Sequence, residues 1–302
     1  MPPDASVAEL HLGTSSWSSA DWVAPGFYPA GLPPGKYLPH YAAQTRREGN
    51  LITYDTVEVD STWYRLPSVA LCQKWRRDTP PDFRFALKVT KSITHEPVLV
   101  GEAERDFERF LGAVEELGER LGFVLFQFGY FSRQSECPDL GTFIKRLAAF
   151  SRLCPPRHHY VVEVRNKQWV GKDLLAALKE HRFAFALTDQ QWMPRPGPLW
   201  EKFGSDLITR DFAYVRFLGE RERIEKIVKE RAEGEKAAGR QITPDWSQVV
   251  IDRTPEVGEW IPILHELIGR LKIPAWAWFN NHWSGHAPAA IEHFRKLWEA
   301  GR

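Results

Sequence analysis

Ile273-Pro274-Ala275-Trp276-Ala277-Trp278-Phe279 runs directly into Asn280-Asn281-His282-Trp283-Ser284-Gly285-His286-Ala287-Pro288. The first seven residues, apolar throughout, read as a buried strand. The residues after it place two carboxamides and two imidazoles at the carboxyl end of that strand. Donors, acceptors and groups titrating near neutrality are thus presented where α/β folds build their sites. A turn alone needs less than this. One Asn or Gly makes it, and Pro288 can open the following helix, Ala287 to Trp298, without His282 or His286.

Working outward, seven more β-rich runs precede this one: Leu10 to Gly13, Thr56 to Asp60, Phe83 to Val89, Phe123 to Phe128, Tyr160 to Val164, Phe183 to Leu187 and Ala213 to Leu218. Between them lie helical spacings such as Phe107-Phe110-Leu111-Val114-Leu117-Leu121 and Leu174-Leu175-Leu178, long enough to cross back over a sheet. Eight apolar strands alternating with helices predict a single-domain (β/α)8 parallel barrel of the TIM type, spanning residues 1–302. An open doubly wound sheet is the alternative, but Gly13-Thr14-Ser15-Ser16-Trp17 after the first strand holds one glycine and is no dinucleotide or phosphate loop. One connection is too long. Residues 219–260, between the seventh and eighth strands, form an inserted helical segment opening on Glu220-Arg221-Glu222-Arg223-Ile224-Glu225-Lys226. Charges alternating at helical separation describe a solvated helix, whereas a long loop leaving the active face of a barrel describes a lid.

Composition fits one large core, with 43% apolar and 26% charged residues. A formal charge of +1 supplies no global field toward nucleic acid or membrane, so anion binding must be local. Cys72, Cys137 and Cys154 are odd in number and widely spaced, as expected of reduced, buried thiols in a cytoplasmic protein. Met1 to Ser6 has no basic region followed by an apolar segment, and no apolar run approaches the ~18 residues of a membrane span, so neither export nor membrane insertion is expected.

On this strand assignment the polar residues fall into one ring at the carboxyl end of the barrel. Trp17 follows the first strand; Glu58 and Asp60 end the second, with Tyr64 and Arg65 beyond. Lys88 and then His95 come from the third, Gln127 from the fourth, Glu163 and Arg165 from the fifth, Asp189 from the sixth and Arg216 from the seventh. Asn280, Asn281, His282 and His286 complete it. Period-two alternation puts Glu58 with Asp60, and Glu163 with Arg165, on common faces. Inward charges must be paired, hydrated or used, because desolvating them unpaired is costly. Glu58, Asp60, Glu163 and His282 are the candidate catalytic groups, and Trp17, Tyr64, Arg65, Lys88, His95, Gln127, Arg165, Asp189, Arg216, Asn280, Asn281 and His286 the candidate substrate-binding ones. An internal salt-bridge network filling the barrel is the competing reading.

The final block resembles the terminal signature of the YecE-like family, domain of unknown function 72 (DUF72). Gly13 to Trp17, Phe27-Tyr28-Pro29, Thr56 to Pro67 (TVEVDSTWYRLP), Phe83 to Lys88, Ile93-Thr94-His95, Leu125-Phe126-Gln127 and Val162 to Arg165 resemble it in the same order. The resemblance implies a TIM-like barrel and no established reaction. For function the residues leave three readings. The first is an enzyme, of hydrolase or lyase type, acting on an anionic ring-containing ligand such as a nucleotide, a nucleic-acid end or a sugar phosphate, favoured by an excess of Arg, Lys and His over carboxylates in the ring and by nearby aromatic side chains. The second is a glycoside hydrolase using Glu58 or Asp60 with Glu163. The third is a non-catalytic binding module. The cofactor is left open: His and carboxylates could ligate a metal, but no HExxH or similarly tight spacing occurs. On the first reading, Lys88→Ala and Arg216→Ala are both expected to weaken anion binding with modest loss of stability.

Overall fold

In the computed structural model of the chain, residues 8–95, 97–239 and 245–301 are described. Met1 to Ser6, and the stretch of the insertion from Arg240 to Pro244, lie outside the described residues. Nine strands form one sheet: β1 (Leu10–Ser15), β2 (Arg46–Glu48), β3 (Leu51–Val59), β4 (Arg84–Lys88), β5 (Leu121–Gln127), β6 (Tyr160–Glu163), β7 (Phe183–Gln190), β8 (Ala213–Gly219) and β9 (Ala275–Phe279). β1 pairs in parallel with both β3 and β9, which closes eight parallel strands into the expected barrel. β2 is the addition, a three-residue antiparallel strand on β3. Its Arg-Arg-Glu sequence has no apolar period to betray it, and it holds β3 in strand geometry from Leu51, five residues before the expected start.

Alternation along the strands sorts the core into two. Leu10 and Leu12 of β1, like Val57 and Val59 of β3, pack outward in the large cluster beneath the helices. Inward positions form a second cluster including Phe123, Tyr214 and Trp278, so the barrel is a filled core and not a pore. The one irregularity that matters lies between β1 and β3. Three β3 residues, with Tyr54 at φ +62°, stand opposite Gly13, and the bulge brings the Thr56 carbonyl against it. A Cβ at position 13 would sit 2.1 Å from that oxygen, so only glycine fits.

Between β8 and β9 lie two helices, Arg221–Ala237 and Thr254–His265, where a plain (β/α)8 unit has one. The first buries Ile224, Val228 and Ala232, four residues apart along one stripe, and Ile224 and Val228 pack with Ile251, with Trp246 and Val250 alongside. Its other faces carry exposed pairs such as Arg221 with Glu225 and Lys226 with Glu230. All three thiols are free; Cys72 and Cys137 are buried, and burial lifts them to about 11 and Cys154 to about 12. Among the described residues no helix is long and apolar enough to cross a membrane.

Candidate active site

Arg216 is the hub of the upper barrel. It projects inward from β8 and is 2% exposed, while Glu58 from β3 and Glu163 from the end of β6 are wholly buried. Its Nε donates to Glu58 Oε2 at 2.8 Å and its Nη2 to Glu58 Oε1, a two-pronged contact, while Nη1 donates to Glu163 Oε2. Ser15 Oγ donates to Glu58 Oε1 at 3.0 Å and Tyr214 Oη to Oε2 at 2.8 Å, giving that carboxylate four donors. Tyr214 itself rests on Trp278, ring centroids 4.2 Å apart, so the charge layer stands on an aromatic floor. Arg165 Nη2 lies 2.6 Å from Glu163 Oε1, an ion pair outside hydrogen-bond geometry. Burial opposes every charge here, but Arg165 and Arg216 together hold the Glu163 carboxyl below its ordinary value, and the two glutamates hold Arg216 well above its own.

A cavity of about 520 Å³ opens above this layer. Asp60, Lys88, Gln127, Arg165, Arg216, Asn280 and His282 line it, with Tyr64 at the rim and Arg221 and Glu222 of the inserted helix forming one wall. Lys88 differs from the arginines. Its Nζ lies 5.1 Å above the Trp63 ring and makes no ion pair among the described residues, and burial lowers its pKa. Asp60 Oδ1 is 3.6 Å from Arg216 Nη2 and has no hydrogen bond; Gln190 Oε1, also buried, has none either. Asn280 caps the turn Asn281–Ser284. Its Oδ1 accepts from the His282 backbone N–H at 2.9 Å, which fixes that atom as the oxygen, so His282 Nδ1, 2.6 Å away, carries the ring proton. The other nitrogen, Nε2, stands 3.2 Å from Glu225 of the inserted helix. Burial first, then Arg221, lowers the His282 pKa, while the Glu225 carboxylate beside Nε2 acts in the opposite direction.

Six of the sixteen expected site residues sit elsewhere. Trp17 packs edge-on against Trp75 and Phe85 beneath the helices. Arg65 is exposed off the cavity, and His95 stands edge-on to the back of Trp63 with its Nδ1 2.9 Å from Thr94 Oγ1. Asp189 points away from the mouth, bonded to Arg195 at 2.8 Å and to Trp260 Nε1 at 3.0 Å. Asn281 Oδ1 accepts from the Ala287 N–H at 2.9 Å and so braces the last helix, while His286 Nδ1 meets the Trp246 carbonyl at 2.8 Å. Glu58 and Glu163 occupy the layer beneath the cavity. Period two places a residue on a face but does not say whether a neighbour already holds it. Tyr214 reads as core in the sequence, yet it binds Glu58, as does Ser15 at the end of the first strand. Arg221 and Glu222 lie in a charge run whose first turn happens to meet the mouth. Among the described residues no group of three His, Cys, Asp or Glu side chains could hold a metal ion.

The family model for "Protein of unknown function DUF72" matches residues 11–302. The chain belongs to the DUF72 family. UPF0759 protein YecE of Escherichia coli K12 is 28% identical over 163 residues, 54% of this chain and 51% of YecE, so the chain spans about half the length of the curated relatives it matches. A DUF72 family protein of Thermotoga maritima MSB8, solved as a crystal structure, superposes with a TM-score of 0.65 at 27% identity over 96% of this chain and 99% of that one. A DUF72 family protein of Enterococcus faecalis V583 gives the same score at 19% identity over 96% and 95% of the two chains, a likeness of fold alone. The DUF72 assignment thus agrees with the closed barrel and brings no reaction with it.

Proposed function

We propose that the mouth cavity binds a small, ring-containing anion, such as a sugar phosphate or a nucleotide, free or at the end of a nucleic-acid strand, and that the protein acts on it as a hydrolase or lyase. The observation that carries this is Lys88: a desolvated amine facing the cavity, near Asp60, Glu163 and Glu58 but with no carboxylate in ion-pair contact among the described residues. An anion would complete it. The support is narrower than a field of cations, because Arg65, His95 and His286 lie off the cavity while Arg165 and Arg216 are already matched by Glu163 and Glu58. Asp60 and His282 are the mouth groups suited to moving protons, with Trp63 and Tyr64 offering ring faces. Glu58 and Glu163 share one guanidinium, an arrangement that suits a rigid floor better than the acid and nucleophile of a glycosidase.

The test is calorimetric titration of ribose 5-phosphate and of ribose into the native protein and Lys88→Ala. Binding of the phosphate alone, lost in the variant, is the expected result. Equal affinity for ribose and its phosphate would end this reading. Turnover of a panel of phosphate esters, lost in Asp60→Asn and His282→Ala, separates an enzyme from a binding module.

A further inference from the structure

A second cavity, of about 560 Å³, adjoins the first at the carboxyl ends of β5 to β7. The two share Arg165, Gln190, Gln191 and Trp192 as common wall, so a single ligand can occupy both. Its own lining adds Tyr130, Lys167, Gln168 and Met193. Two features mark it as built for contact. Trp192 is 74% and Tyr130 68% exposed, large aromatic faces with no packing reason to be presented together. Trp192 also holds φ at +72°, a left-handed conformation that a bulky side chain adopts at a cost in strain, and its exposed ring regains little of that through packing.

We propose that this alcove is the subsite for a planar nitrogen heterocycle, stacked on Trp192 and Tyr130, carried by the same ligand whose anionic group sits at Lys88. The ligand class is then a nucleotide and not a simple sugar phosphate. The alcove's polar groups decide between the two rings. Gln168, Gln190 and Gln191 each offer both a donor and an acceptor, as the edge of a heterocycle requires, whereas no carboxylate lines the alcove to accept from vicinal sugar hydroxyls. Lys167 adds positive charge to the alcove wall. The proposal rests on the reading of Lys88 as the seat of the anion, and its test keeps the two apart.

AMP, ribose 5-phosphate and adenosine are titrated into the native protein, Lys88→Ala, Trp192→Ala and Trp192→Phe. Trp192 is exposed, so its variants are expected to keep the fold. AMP is expected to bind at least about tenfold more tightly than ribose 5-phosphate, with Trp192→Ala abolishing the difference and Trp192→Phe retaining most of it. Trp192→Gly, which relieves the positive φ, should raise the Tm while losing the base contribution, a combination that a packing role for Trp192 would not give. If AMP and ribose 5-phosphate bind equally and both depend on Lys88, the alcove proposal is overturned and the anion reading survives. Adenosine binding that depends on Trp192 with no gain from phosphate would support the alcove and sink the anion reading. Absence of millimolar binding by all three overturns both.

Discussion

A guanidinium that bridges two wholly buried carboxylates cannot be removed without leaving Glu58 with no ion-pair partner among the described residues and Glu163 with Arg165 alone, in a medium that solvates them poorly. Arg216→Ala is therefore expected to destabilise the fold by about 3–5 kcal/mol in urea unfolding, which replaces the modest loss expected from sequence. Lys88 has no such partner and bears the desolvation itself, so Lys88→Met should leave stability unchanged within about 1 kcal/mol or raise it. Equal losses at the two positions would show that Lys88 belongs to the same network. His282 offers a second test at this scale. Its pKa lies below the ordinary 6.5 because burial and then Arg221 penalise the imidazolium, so Arg221→Ala should raise it in an NMR titration and Glu225→Gln should lower it further. The sign for stability follows. A histidine depressed in the folded state favours folding when neutral, so this contribution is present above about pH 6.5 and is lost as the pH falls through the unfolded value toward the folded one. A His282 that titrated above 6.5 would mean that Glu225 outweighs burial.

The inserted helix, Arg221–Ala237, satisfies both of its sequence readings in different turns. Alternating charge describes its outer faces, and Ile224 and Val228 tie its inner one to Ile251. Only the first turn, through Arg221, Glu222 and Glu225, reaches the mouth. Its position depends on Gly219, the last residue of β8, where φ is +69° and a Cβ would stand 2.5 Å from the His282 carbonyl oxygen and 2.6 Å from Trp283 Cα. Gly219→Ala combines backbone strain with a backbone clash, and is expected to cost about 1–3 kcal/mol and to displace His282, read as a changed imidazole shift. If the first turn acts as a lid, bound phosphate should slow amide exchange in residues 221–225 and leave residues 230–237 unaffected. Uniform indifference to ligand would make the helix a fixed wall. No sequence pattern distinguishes these, because a helix that closes and one that stays carry the same buried stripe.

For the molecule as a whole, the eight barrel strands were legible because each is an apolar run bounded by turn residues, and their helices because the period changes from two to 3.6. What period cannot convey is depth. The same alternation carries His11, Trp276, Tyr214, Trp278, Arg216 and Glu58 inward, the bulge in β3 turns Asp55 inward as well, and the sequence does not say that His11, Asp55 and Trp276 form the opposite end of the barrel. There a third cavity, of about 560 Å³, is lined by Glu9, His11, Arg47, Asp55, Asp82, Arg84, Lys272 and Trp276. His11 lies flat on Trp276 with centroids 4.7 Å apart, its Nδ1 2.6 Å from Asp55 Oδ2 and its Nε2 3.5 Å from Glu9. Burial alone would push its pKa down, but the hydrogen bond to Asp55 and the pairing with Glu9 overcome this and lift it to about 9, while the same contact, with Arg47, draws Glu9 down to about 2. The stabilising species is the imidazolium. A raised histidine contributes fully below its unfolded pKa of about 6.5 and loses that contribution as the pH climbs to about 9, so the fold should weaken on the alkaline side by up to about 3 kcal/mol. The amino-terminal end of a barrel is where stability is set, so activity at the mouth should not follow this titration. Thermal melts between pH 6 and 9.5 should show the Tm falling across that window, with the fall reduced in Asp55→Asn, whose amide no longer favours the charged ring. A Tm flat from pH 6.5 to 9, or an identical slope in Asp55→Asn, would mean that His11 is neutral in the folded protein and that this end of the barrel is held by packing on Trp276 alone.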